Sequence, residues 1–350
     1  MNKNHLKLFP AHFPRFIVRL FFISPFSLLP FLFLFPVFLI FPGAGNDKTR
    51  AQSLQAAEKI QLEDFSGPDE SPVPETAVVP ERAELVMKAL AAAHRDRVGS
   101  AEFRDSDWAV MLAGKWYYYC EGRLLPEELR GRVSEYSGQP FYNYAAELPP
   151  WNPPDPEESD RMRAMTERRR QPAKRSQYFY DDLWRAHNRD ESWERVKSIK
   201  FLGFTVMVHY SILAQLSLVE ETILRESRTN AVVRRWIENI SSIDGWNWRN
   251  IAETESRSFH AYGAAIDILP KSTGGLATYW QWTARTNPEW WAVPYSGRLH
   301  PPPEVIRAFE SFGFIWGGKW TVYDTMHFEY RPEILVFSNI PMADLRTDLH

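Results

Sequence analysis

A chain of 350 residues with 44% hydrophobic and 15% aromatic content carries enough apolar side chain for one or two packed domains, which excludes a disordered protein. Its 41 basic residues against 44 acidic ones leave a net charge of -3, so the electrostatic footprint that phosphate backbones require is missing and no nucleic-acid partner is expected. The single cysteine, Cys120, excludes an intrachain disulfide and any cysteine-based metal cluster, so a metal here has to be held by His, Asp or Glu.

At the N-terminus, Lys3, Lys7, Arg15 and Arg19 precede an uncharged apolar run over residues 20–41, long enough to span a bilayer. Residues 1–43 read as a membrane anchor with its basic end in the cytoplasm, or as a secretory signal cut near the small residues at 43–45. Pro25, Pro30 and Pro36 interrupt the run and argue against a buried core helix. The expected location is the cell envelope: membrane-anchored with the rest of the chain outside the cytoplasm, or secreted or periplasmic after cleavage. Residues 44–82 are rich in Pro, Ser and acidic residues and poor in aromatics, which is the composition of a flexible linker.

An accessory region is expected over 83–195. "ERAELVMKALAAAHRDR" has apolar residues at helical spacing and opens the folded part. "WAVMLAGKWYYYCEGRLLPEELR" predicts strands, a turn around Gly122 and a short helix from Pro126, with Cys120 a buried small apolar residue. Residues 148–175 are loaded with Pro and charge and predict a long surface excursion. The last segment, 196–345, changes pattern again. "FTVMVHY" alternates as a strand carrying His209, a helix follows over 211–225, and "AVVRRWIENI" predicts another. Near the end a helix is predicted over 303–312, then a Gly-rich turn and a strand over 326–330, with His300 on a loop before prolines. Helices and short strands intermix without regular strand–helix–strand alternation, so the fold class is α+β with a small antiparallel sheet and packed helices.

Two polar clusters carry chemistry. In "SRSFHAYGAAIDI" the strand pattern of "AAIDIL" sets Asp267 on the face opposite Ile266 and Ile268. Gly263, Ala264 and Ala265 leave space for a tight turn that brings His260 back towards Asp267. Alone, this reads first as a core histidine near a surface aspartate. The second cluster, "YDTMHFEY", puts Asp324 three residues before His327 on a hydrophobic strand. Two His and one Asp are a complete protein shell for a catalytic zinc, leaving the fourth position open, and such a centre lowers the pKa of bound water towards neutrality. The mechanism also needs a carboxylate that is not a ligand. Asp324 is placed for that role, and Glu329, on the same face as His327, competes for it.

"SFHAYGAAID" resembles the S-x-H-x-x-G-x-A-x-D signature of the VanY-like D-alanyl-D-alanine carboxypeptidase family of zinc metallopeptidases, and "DTMHF" resembles its second D/E-x-x-H motif. The likeness spans roughly residues 196–340. It implies that family's small α+β core, Zn2+ held by His260, Asp267 and His327, and Asp324 as the general base. It implies as substrates the stem peptides of bacterial peptidoglycan, with D-Ala-D-Ala carboxypeptidase and L-Ala-D-Glu endopeptidase activity both represented. Asp in place of Glu as the base, with "FIWGGKW" and "HFEY", is more like the endolysin-type endopeptidase branch. "GWNWRNI" is similar to an upstream G-Y-R element, which makes Arg249 a substrate-binding candidate. Ser258, beside His260, binds substrate or holds the turn. The tryptophans at 246, 248, 280, 282, 290, 291, 316 and 320 are core first and glycan platforms second. Two rivals stand beside the peptidase: a catalytically silent cell-wall-binding protein that keeps the fold, and an anchored scaffold in which 83–195 does the work. A binder needs no free carboxylate beside the metal.

Overall fold

The computed structural model describes residues 79–168, 174–252 and 254–343, so the apolar N-terminal run and nearly all of the linker segment lie outside the described residues. Among the described residues, no helix is long and apolar enough to cross a membrane.

Helix α1 (Val79–Ala93) buries Ala83, Val86, Met87 and Leu90, the stripe that its helical spacing dictates. A four-stranded antiparallel sheet follows, β1 (Glu102–Arg104), β2 (Asp107–Leu112), β3 (Lys115–Tyr118) and β4 (Leu125–Pro126), in that spatial order. The β2–β3 turn has positive φ at both Ala113 and Gly114, as a two-residue hairpin of primed type requires. The helix predicted from Pro126 is a 3-10 stretch, Glu127–Glu135.

The Pro-rich segment 148–175 is described over 148–168 and 174–175. It contains α2 (Pro156–Arg168), opened by acidic residues in its first turn, which complement the helix dipole. Met162 anchors this helix in a second apolar cluster with Trp280, Trp290, Trp291, Val322 and Tyr323. Pro156 is the first residue of this helix, which suits proline, and apart from Met162 the described side chains of the segment lie at or near the surface.

Helices α3 (Tyr178–Trp184) and α4 (Arg189–Arg195, capped by Asn188) lead into the hairpin β5 (Val196–Phe201) and β6 (Phe204–His209). Then come α5 (Leu213–Ser227) and α6 (Ala231–Glu238). The central sheet takes β7 (Ile240–Asp244), and after α7 (Phe259–Tyr262) it takes β8 (Ala265–Pro270). Helices α8 (Trp280–Ala284) and α9 (Pro303–Ser311) precede its last strands, β9 (Phe314–Trp316) and β10 (His327–Tyr330), and α10 (Pro332–Phe337) closes the described chain. All pairs in this sheet are antiparallel and the order is β7-β8-β10-β9. The α+β class expected from the sequence is the class observed. The main core is continuous from α1 and the first sheet (Val86, Leu90, Val110, Tyr117) to the second (Ile266, Phe309, Phe328), with the Phe309 and Phe328 rings stacked 3.9 Å apart.

His209 is buried between Ser211 Oγ at 2.8 Å and the Trp184 carbonyl at 3.0 Å, and the half-buried His300 lies 5.3 Å from the Trp316 ring. Trp280, Trp290, Trp291 and Trp316 are core, whereas Trp282 is 49% exposed. Cys120 is buried, and burial pushes its thiol up to about 11. A disulfide reagent at pH 8 is therefore expected to leave the native protein unmodified and to titrate one thiol after denaturation; prompt labelling of the native chain would contradict this burial.

Candidate metal centre

The register of the central sheet sets His327 on β10 directly opposite Asp267 on β8, so the two side chains leave the same face at neighbouring positions. Ile266 and Ile268 point into the core on the other face, as the alternation of "AIDIL" dictates. His260 comes from α7, one helical turn long. Ser258 caps this turn, accepting from the His260 amide at 3.3 Å, and Gly263 ends it in the left-handed region at φ 70°. A glycine is required there for a second reason: a Cβ would lie 2.8 Å from both His209 N and Val196 Cγ1.

The inward atoms form a small triangle. His260 Nε2 is 3.3 Å from His327 Nδ1 and 3.2 Å from Asp267 Oδ2, and His327 Nδ1 is 2.8 Å from Asp267 Oδ1. A tetrahedral Zn2+ at its usual bond lengths separates its ligand atoms by roughly 3.3 Å, a spacing close to that of these donors, although the two histidines face different oxygens of Asp267. Each imidazole is held by its other nitrogen. His260 Nδ1 lies 2.7 Å from the Gly245 carbonyl, and His327 Nε2 lies 3.1 Å from Glu329 Oε2. Such outer contacts orient a histidine ligand and select its tautomer.

The charges agree with a cation site. Burial disfavours the ionised form of Asp267, yet His260 and His327 hold its carboxyl well below the usual range. Burial likewise opposes a proton on His327, but Asp267 and Glu329 on its two sides raise it to about 10. A metal ion can replace that proton as the positive charge between the carboxylates.

Asp324 lies on the segment entering β10, fastened on both sides. Its amide donates to the Gly317 carbonyl at 3.0 Å, the next amide, Thr325 N, donates to Thr278 O at 2.8 Å, and Tyr279 pairs with it as an isolated bridge. Its Oδ1 accepts from Met326 N at 3.3 Å. Burial pushes its carboxyl up to about 6, with His327 opposing and Asp267 adding to the rise. Glu329 is differently occupied: it is buried, with one oxygen on His327 and the other 3.2 Å from Arg331 Nη1.

The two remaining sequence candidates have contacts of their own. Ser258 Oγ is occupied as the α7 cap. Arg249 is exposed, its guanidinium donating to the Asn250 carbonyl at 3.3 Å, while its own carbonyl accepts from Ser258 N. Nearby Arg257 is a structural residue, paired with Asp181 and lying 4.2 Å over the Trp248 ring. Sequence reasoning missed Gly245, whose contribution is a backbone carbonyl without residue signature. It also missed the role of Glu329, although His327, Glu329 and Arg331 recur at the period of two that places them on one strand face.

Residues 252–330 match a family model described as D-alanyl-D-alanine carboxypeptidase, a span that holds all three triangle residues and Asp324. Residues 86–141 match a model described only as a domain of unknown function. No curated protein and no solved structure matches the chain. The matched span thus has the pattern of a carboxypeptidase-type peptidase of the kind that acts on peptidoglycan.

Proposed function

We propose that this protein is a zinc-dependent peptidase of peptidoglycan stem peptides, a D-Ala-D-Ala carboxypeptidase or an L-Ala-D-Glu endopeptidase. The observation that carries the proposal is the convergence of His260, Asp267 and His327 within 4.8 Å of one another, with a separate carboxyl, Asp324, fastened on the segment that enters the strand of His327.

In this reading His260 Nε2, His327 Nδ1 and one Asp267 oxygen hold the ion. When bound, zinc supplies Lewis-acid polarisation of the scissile carbonyl and makes water a stronger acid. Asp324 accepts the proton of the attacking water and returns it to the amine as the C–N bond breaks, so the carboxylate is regenerated in each turnover. The Gly245 carbonyl and Glu329 keep both imidazoles aimed, which limits reorganisation during the reaction. Arg249, exposed beside the N-terminus of α7, is the proposed anchor for a peptide carboxylate, with Ser258 alongside. Residues 1–43 belong to the same proposal, as the anchor or signal that places the enzyme in the cell envelope.

The test is to incubate the full chain with defined muropeptides, with and without a chelator, and to identify the products by mass. Loss of one D-Ala, release of a dipeptide, or a cut after L-Ala assigns the bond. Zinc binding with no chelator-sensitive cleavage of any muropeptide would overturn the peptidase and leave the silent wall-binding protein.

A further inference from the structure

Behind His327, away from the triangle, runs a buried chain of charges that ends in the N-terminal part of the molecule. His327 Nε2 meets Glu329 Oε2 at 3.1 Å, and Glu329 Oε1 meets Arg331 Nη1 at 3.2 Å. Arg331 Nε donates to Glu333 Oε1, and Glu333 Oε2 lies 3.1 Å from His94 Nε2. Arg331, Glu333 and His94 are each 1% exposed. Further contacts hold the middle of the chain. Tyr180 OH lies 3.2 Å from Glu333 Oε1 and 3.1 Å from Arg331 Nη2, which also reaches the Pro140 carbonyl at 3.4 Å. The Arg331 guanidinium sits 4.7 Å from the Phe259 ring, the residue before His260.

Burying two carboxylates and a guanidinium is costly, and an apolar replacement of the same volume is usually no less stable. Stability alone is therefore a poor reason for this arrangement. The donor inventory supplies a better one. Carboxylates only accept and guanidinium only donates, so each contact has a single direction. Glu329 Oε2 must receive a proton from His327 Nε2, which leaves Nδ1 to face Asp267 and His260. At the far end, Glu333 Oε2 must receive from His94 Nε2, and His94 Nδ1 is turned 3.5 Å from the donor Arg97 Nη2. The direction of every hydrogen bond is thus set from His94 to the centre.

We propose that the segment matched as a domain of unknown function completes the metal centre: His94 and the Pro140 carbonyl, from the two ends of that segment, hold Glu333 and Arg331 so that Glu329 keeps His327 Nδ1 aimed at the ion. Glu329, Arg331 and His94 are positioning residues. The inference rests on the metal-centre reading above and adds a role for residues 86–141 that neither motif contains.

The experiment uses the full chain as wild type, His94→Leu and His94→Gln. Two quantities are read: zinc affinity by competition with a chelating dye, and, in the zinc-loaded protein, solvent exchange of the His327 Nε2–H proton by NMR. His94→Leu is expected to weaken zinc about tenfold and to speed that proton's exchange by a similar factor. His94→Gln, whose amide nitrogen takes the place of Nε2, is expected to stay within about twofold of wild type. If His94→Leu does not fold, Tyr180→Phe removes a single hydroxyl from the same junction, and both quantities should shift in the same direction. A folded His94→Leu, or Tyr180→Phe where that is the variant obtained, with wild-type affinity and wild-type exchange would overturn the inference, because a merely structural residue alters unfolding and neither readout. A wild-type protein that binds no zinc would instead overturn the metal-centre reading itself.

Discussion

Asp324→Asn is expected to lower kcat/KM on a cleaved muropeptide by about 10²- to 10⁴-fold while zinc remains bound, the range for loss of a general base. The amide keeps the shape of the side chain and can still accept from Met326 N, but it cannot take up a proton from water. The base works in its ionised form. The carboxyl is pushed up to about 6 before a cation is bound, and a bound cation would lower it, so activity should fall along an acid limb that lies below that value. In Asp324→Asn the residual activity should lose the limb. The measurement is kcat/KM against pH for both proteins, with zinc content determined alongside. Undiminished cleavage by the variant would remove Asp324 as the base.

Gly245→Ala should damage the fold and the centre together. A Cβ at residue 245 would lie 2.1 Å from the Met207 carbonyl oxygen and 2.7 Å from Val206 Cγ2, so β6 or the chain after β7 must move. Met207 O also accepts from Trp246 N at 2.7 Å, and that hydrogen bond is strained by the same shift. Loss of about 3 kcal/mol or more is expected, in the range of forced overpacking combined with a lost backbone contact. The Gly245 carbonyl is the partner of His260 Nδ1, so zinc affinity should drop about tenfold or more as well. Gly131→Ala is the control, since a Cβ there meets nothing within 4 Å, and its cost should stay near 0.5 kcal/mol. Denaturant unfolding with zinc titration measures both; a Gly245→Ala protein as stable as the control would show that this packing is not what holds His260.

The strands and helices with a clear period could be read from the sequence because their burial is one-sided. The alternation in "AIDIL" placed Asp267 opposite the isoleucines, and the spacing of Ala83, Val86, Met87 and Leu90 marked α1. The three converging side chains were readable for the same reason: a rigid strand register carries two of them, and a glycine turn carries the third. What could not be read depends on partners distant in sequence. Helix α2 is mostly polar and charged, and its place depends on Met162 meeting tryptophans from the other end of the chain. The Gly245 carbonyl belongs to no residue type, and the partnership of Glu333 with His94 spans 239 positions. The tryptophans show the limit from the other side, since composition alone did not separate the buried Trp290 from the half-exposed Trp282.

The pairing of His327 with Asp267 has a consequence beyond catalysis. The two residues are 60 positions apart and share one face only while β8 and β10 keep their observed register; a slip of one residue would turn one of them into the core. An ion bound by both thus acts as a check on assembly. On the proposed zinc reading, the ion would stabilise the correctly aligned sheet by mass action and would find no complete site in a misaligned one.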